Sequence, residues 1–178
     1  MPIQYDPNMI ASHTVGVFGI PTTYAESKIV IIPVPWEVTT SYGGGTAHGP
    51  EAVWVASPQI DHFDIELGES HLEGYHLLPI PENWLKLNNE LRPLALEIRG
   101  QIEESGELDA AMLAAKKKIN QACAEMSAWV YSQSQKALAD GKTPVVLGGD
   151  HSTPKGNIRA VSESVKGDMG VLHIDAHA

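Results

Sequence analysis

The chain has 178 residues, 43% of them hydrophobic and 19% charged, which is enough for one domain with a sizeable core. Its formal net charge of −10 excludes a nucleic acid or an anionic membrane surface as the expected partner and favours a small cation. A single cysteine, Cys123, rules out an intrachain disulfide and a thiolate zinc cage.

Residues 1–27 carry scattered Pro, Gly, Ser and Thr with no sustained period, and read as an N-terminal arm available for subunit contacts. They show no basic segment followed by an apolar run, and no stretch of the chain approaches the roughly 18 apolar residues of a membrane span. The cytoplasm is the expected compartment. Residues 28–34 (KIVIIPV) form a short apolar run rich in β-branched side chains, the pattern of a strand buried on both faces of a parallel sheet. Pro33 and Pro35 mark its end.

A loop with three successive glycines, Gly43 to Gly45, leads to Pro50, which suits the first position of a helix over residues 51–56. Residues 59–65 read as a second short strand and 69–81 as loop. Residues 82–104 read as helical, interrupted at Pro93, with Ser105-Gly106 as the break. From Leu108 the apolar positions Met112, Ala115, Ile119, Ala122, Met126 and Trp129 follow in alternating steps of four and three. That spacing predicts an amphipathic helix running to about Ala139, with its Met and Trp residues in the core.

After a stop at Asp140-Gly141, residues 143–147 (TPVVL) predict another buried strand, ending in Gly148-Gly149-Asp150-His151-Ser152. A helix is expected over 154–165, then a third buried strand over 169–174, with Asp175-Ala176-His177 at its carboxyl end. Strands alternating with helices imply an α/β fold with a parallel sheet. Two strands thus end in Asp/His clusters, and ligands of open α/β sheets bind beyond the carboxyl ends of the strands. With one crossover helix between them, the two strands are expected to be neighbours.

Asp175 and His177 alternate at period two, which on an extended segment sends both side chains to one side. Carboxylate with imidazole suits Mn, Fe, Ni or Zn better than Mg or Ca. A shared carboxylate suits a pair of ions about 3.5–4 Å apart, the spacing of two-metal hydrolases. Taken singly the pieces have plainer readings. Gly148-Gly149 is also a tight turn or a phosphate cradle, although no Lys-Ser/Thr follows it. Asp150 with Ser152 can cap the next helix. Together, at successive strand ends, they point to metal.

The segments LGGDHS (147–152) and HIDAHA (173–178), with the first strand, the glycine loop and Gly49-Pro50-Glu51-Ala52, resemble the ureohydrolase family of arginase and agmatinase. The details around residues 42–50 and 62–68 lean towards the agmatinase-like branch, which includes guanidine hydrolases. The resemblance implies a three-layer α/β/α arginase-like domain over residues 28–178, incomplete at its C-terminus. It also implies two Mn²⁺ ions (alternatively Ni²⁺), a small cationic guanidino substrate such as agmatine or guanidine, urea as product, and a homo-oligomer.

Residue by residue, the resemblance implies His151 on one metal, Asp175 bridging both and His177 on the other, with Asp150 positioning. It assigns no catalytic residue among these 178 and leaves the substrate-binding residues unassigned. His173 reads as a buried structural histidine. The family pattern continues one residue beyond Ala178 to a further ligand Asp, and a later Asp-x-Asp supplies others. A fragment of a longer hydrolase is therefore expected. The alternative is a catalytically inactive, truncated relative or interaction module. A deacetylase on the related fold fits less well, because such enzymes lack the Gly-Gly-Asp-His-Ser turn.

Overall fold

The structure, a computed structural model, describes residues 15–66 and 68–175. Three parallel strands form one sheet in the order β2-β1-β3: β1 (Ile29–Val34), β2 (Tyr75–Leu77) and β3 (Thr143–Gly148). β1 is central, pairing Ile29 with Tyr75 on one side and Ile29 through Val34 with Thr143 through Gly148 on the other. Pro33 is tolerated in this central strand because the backbone of Ile31 and Pro33 points towards β2, which ends opposite Ile31. The amide hydrogen that proline lacks has no ladder partner to lose there.

Val30, Ile32 and Val34 face helices α2 (Glu82–Ser105) and α3 (Ala110–Ala139), where they pack with Trp36, Trp84, Leu91, Ile119, Met126 and Val130. The opposite face carries α1 (Gly49–Ala56) against β3 and the segment around Val17 and Ile20, both buried, beside β2, and leaves Val145 of β3 41% exposed. α4 (Lys155–Ser164) lies along α3. At Gly156 a Cβ would overlap Ser127 O and lie 2.6 Å from Tyr131 N, so only glycine permits that close approach. The result is an α/β domain with helices on both faces of a parallel sheet. Among the described residues no helix is long and apolar enough to cross a membrane.

Four expectations need correction. Pro93 does not interrupt α2, which runs unbroken from Glu82 to Ser105. Pro93 and Asn89, whose carbonyl loses its donor, both lie on the exposed side, where that loss costs least. Residues 59–65 are not a strand. Asp61 and Asp64 accept hydrogen bonds from the amides of Phe63 (3.1 Å) and Glu66 (2.8 Å), and such local turns compete with a ladder. The expected loop over 69–81 contains β2, three residues whose strand character comes from pairing with β1. Finally, residues 169–174 form no strand and do not neighbour β3, and Leu172 and Ile174 are 88% and 89% exposed. An apolar run becomes a strand only when it pairs, and among the described residues this run does not pair with the open outer edge of β3.

Candidate metal centre

The site lies at the carboxyl ends of β1 and β3, where Val34 pairs with Gly148. Gly149 takes a φ of 108°, and a Cβ there would lie 2.8 Å from Val34 O and overlap Trp36 O. This glycine lets the turn lie directly against the end of β1. Asp150 N then donates to Trp36 O at 2.7 Å.

The Asp150 side chain is 7% exposed and fully engaged. One oxygen accepts from Thr39 N (3.1 Å) and Thr39 Oγ1 (2.7 Å), the other from Ser152 N (2.9 Å) and Ser152 Oγ (2.6 Å). It does not cap α4, which begins at Lys155 behind Pro154. Asp150 instead ties the turn to the loop after β1, and the next side chain, His151, projects into the open.

His151 meets the segment that follows α4. Its Nε2 lies 3.0 Å from His173 Nε2, and its Nδ1 lies 3.4 Å from Asp175 Oδ2. His173 Nε2 is also 3.1 Å from Asp175 Oδ2. One ligand atom from each of the three falls within 4.8 Å of the others. His151 and Asp175, two of the expected ligands, are therefore brought together, whereas His177 lies outside the described residues. His173 corrects its expectation. It is not buried, because no strand encloses it; its side chain is 60% exposed and joins the cluster.

The sequence reading missed Glu37. Its carboxylate, 8% exposed, accepts from Gly45 N (2.6 Å), Thr46 Oγ1 (3.1 Å) and Ala47 N (3.1 Å). Burial pushes this carboxyl up, but the donors from Ala47, Gly45 and Thr46 together pull it below the ordinary carboxylate range. The rest of the glycine loop is pinned from α2. Asn88 Oδ1 accepts from Glu37 N at 2.7 Å, Arg92 donates to the carbonyls of Val38, Thr40 and Gly43, and Arg99 donates to that of Ser41. A lone acid between a buried strand and a glycine-rich loop was the available signal, since loop amides need an acceptor.

Two imidazoles and a carboxylate converging beyond the strand ends define a class: an α/β protein whose crevice carries a donor set suited to a divalent transition ion. The chain belongs to the arginase family, whose model matches residues 27–178. It is 31% identical over 156 residues to an N(1)-aminopropylagmatine ureohydrolase of Synechocystis, covering 88% of this chain and 42% of that protein. It is 32% identical over 165 residues to the enzyme of the same name from Thermus thermophilus, covering 91% and 44%. An Escherichia coli agmatinase is 28% identical over 178 residues, covering 98% and 47%. A solved agmatine ureohydrolase of Thermoplasma volcanium aligns over 78% of this chain and 36% of its own, at 20% identity and a TM-score of 0.48. The chain thus spans less than half the length of the curated relatives it matches.

Proposed function

We propose that this chain carries part of the metal centre of a guanidino hydrolase acting on an agmatine-type substrate. The observation that supports it best is the meeting of His151 and Asp175 from two separate segments at the sheet's carboxyl edge. In the overall reaction, water adds to the guanidinium carbon, the C–N bond to the alkyl substituent breaks, and urea and a protonated amine leave. His151, Asp175 and His177 would hold two Mn²⁺ or Ni²⁺ ions. Such ions supply Lewis acidity and an activated water at neutral pH.

The chain's own contribution is positional. Asp150 anchors the turn so that His151 reaches the crevice, and Glu37 with Arg92 holds the adjoining loop close to that turn. The net charge of −10 attracts a cationic guanidinium. A cytoplasmic homo-oligomer is part of the same proposal.

The test is urea release by the purified chain with Mn²⁺ or Ni²⁺ and agmatine, N(1)-aminopropylagmatine or guanidine. Turnover that disappears with His151→Ala supports the proposal. Saturable metal binding without any urea favours the second reading, an inactive relative.

A further inference from the structure

We propose that the cleft between the loop after β1 and helices α2 and α3 binds a small organic carboxylate. The charge of that ligand sits on Lys116 and Arg99, and its apolar body on Val38, Leu96 and Ile119. The cleft holds about 290 Å³, the lower end of the range for small-molecule pockets. His151, His173 and Asp175 do not line it, and the assignment does not rest on the proposed activity.

Helix spacing builds the lining. Arg92, Leu96 and Arg99 follow at steps of four and three on α2, and Lys116 and Ile119 at a step of three on α3, so each set shares one helix face. Val38 and Ile119 are buried and form the floor, whereas Leu96 stands at the wall, 49% exposed. An exposed leucine beside an apolar floor gains from a ligand with an apolar body that covers it; a bare inorganic ion leaves it wet.

The charge at this cleft runs against that of the chain. Arg92, Arg99 and Lys116 line it and no carboxylate does, although the formal net charge is −10. Arg92 donates to the carbonyls of Val38, Thr40 and Gly43, which are neutral and leave its charge in place. Arg99 donates to Glu103 through Nε and to Ser41 O through Nη1, so its Nη2 has no bond to another described residue. The Lys116 ammonium and the Ser41 hydroxyl likewise have no hydrogen bond or ion pair among the described residues. Glu37 and Asp150, whose carboxylates reach the same loop, accept from its own amides and hydroxyls. Three donors at one cleft thus await an acceptor, and a carboxylate offers charge-assisted bonds about twice as strong as neutral ones.

The experiment is an amide NMR titration of the full 178-residue chain with hexanoate at pH 7, following Ser41, Arg99 and Ile119. Hexanoate should saturate with a Kd of about 1 mM or tighter, as its few non-hydrogen atoms allow. A chain of net charge −10 repels anions in general, so saturation reports the local site. Lys116→Glu should weaken binding by more than about tenfold. Lys118→Glu makes the same charge change on the same helix outside the cleft, and should cost less than about threefold. Acetate and inorganic phosphate, which lack the apolar body, and hexanamide, which lacks the charge, should each bind at least about tenfold more weakly than hexanoate.

No saturation below about 20 mM hexanoate overturns the proposal. So do equal losses with Lys116→Glu and Lys118→Glu, and so does acetate, phosphate or hexanamide binding as tightly as hexanoate. Lys116 is exposed and bonded to no described residue, so its replacement leaves the fold intact and a loss of binding reads the site itself. The titration uses neither metal nor guanidino compound, so its outcome and that of the urea assay are independent.

Discussion

Glu37 offers the sharpest test of how the loop beside the site is held. In Glu37→Ala, three donors lose their acceptor. Gly45 and Thr46 are exposed and can turn to water, at about 0.5–1 kcal/mol each, whereas the buried Ala47 amide loses its partner outright at about 1–3 kcal/mol. Removing the carboxylate also removes its own burial cost, so the net loss should be about 2–3 kcal/mol. Glu37→Gln keeps an acceptor oxygen but not the charge, and should cost about 1–2 kcal/mol. Because the folded-state carboxyl is depressed, its contribution is complete above the unfolded-state value near pH ~4.3 and is lost as pH falls through the folded-state value. The assay is urea denaturation followed by tryptophan fluorescence, which reads the buried Trp36–Trp84 pair, at pH 7 and again in acid. A Glu37→Gln deficit below about 0.5 kcal/mol at pH 7, or one that does not narrow below about pH 4, refutes the reasoning.

Three further outcomes follow from the same contacts. Asp150→Ala frees the turn from Thr39 and Ser152 and should lower Co²⁺ affinity about 10–100-fold by dialysis, with His151 itself intact; unchanged affinity would show that the anchor is not needed. Gly149→Ala drives a methyl into Trp36 O at a φ of 108° and should destabilise by more than about 3 kcal/mol in the same denaturation assay. Cys123 is half-buried, and burial first, then the charge of Asp150, pushes its thiol up. Its alkylation by iodoacetamide at pH 8 should therefore be much slower than that of a free cysteine, measured by mass spectrometry, and should speed up on adding urea.

What was legible in the sequence depended on whether the deciding partner was local. β1, β3 and α3 carry their own signals: apolar runs of strand length, and a helical stripe that starts after Asp109, whose carboxylate accepts from Met112 N at 2.8 Å. β2 carried none. Three residues, Tyr75 to Leu77, become a strand only because β1 offers an edge. The run 169–174 is the converse, with strand-like composition but no pairing, among the described residues, with the open outer edge of β3. In residues 59–65 the two aspartates that break the pattern were visible, and their turns outcompeted the alternation of Ile60, Phe63 and Ile65. Glu37 left only its position between a buried strand and the glycine loop as a signal, because most of its partners are backbone amides, which every residue but proline has.

The same distinction divides the cluster of His151, His173 and Asp175 into two unlike halves. His151 is placed by backbone: Gly149 against β1, Asp150 N on Trp36 O, and four donors on the Asp150 carboxylate. His173 and Asp175 lie on a segment with no ladder, and their contacts to His151 are side-chain contacts. One side of the cluster is thus held by backbone and the other by side-chain contacts alone. Pairing of residues 169–174 with the open outer edge of β3 would therefore hold Asp175 against His151 without altering either side chain.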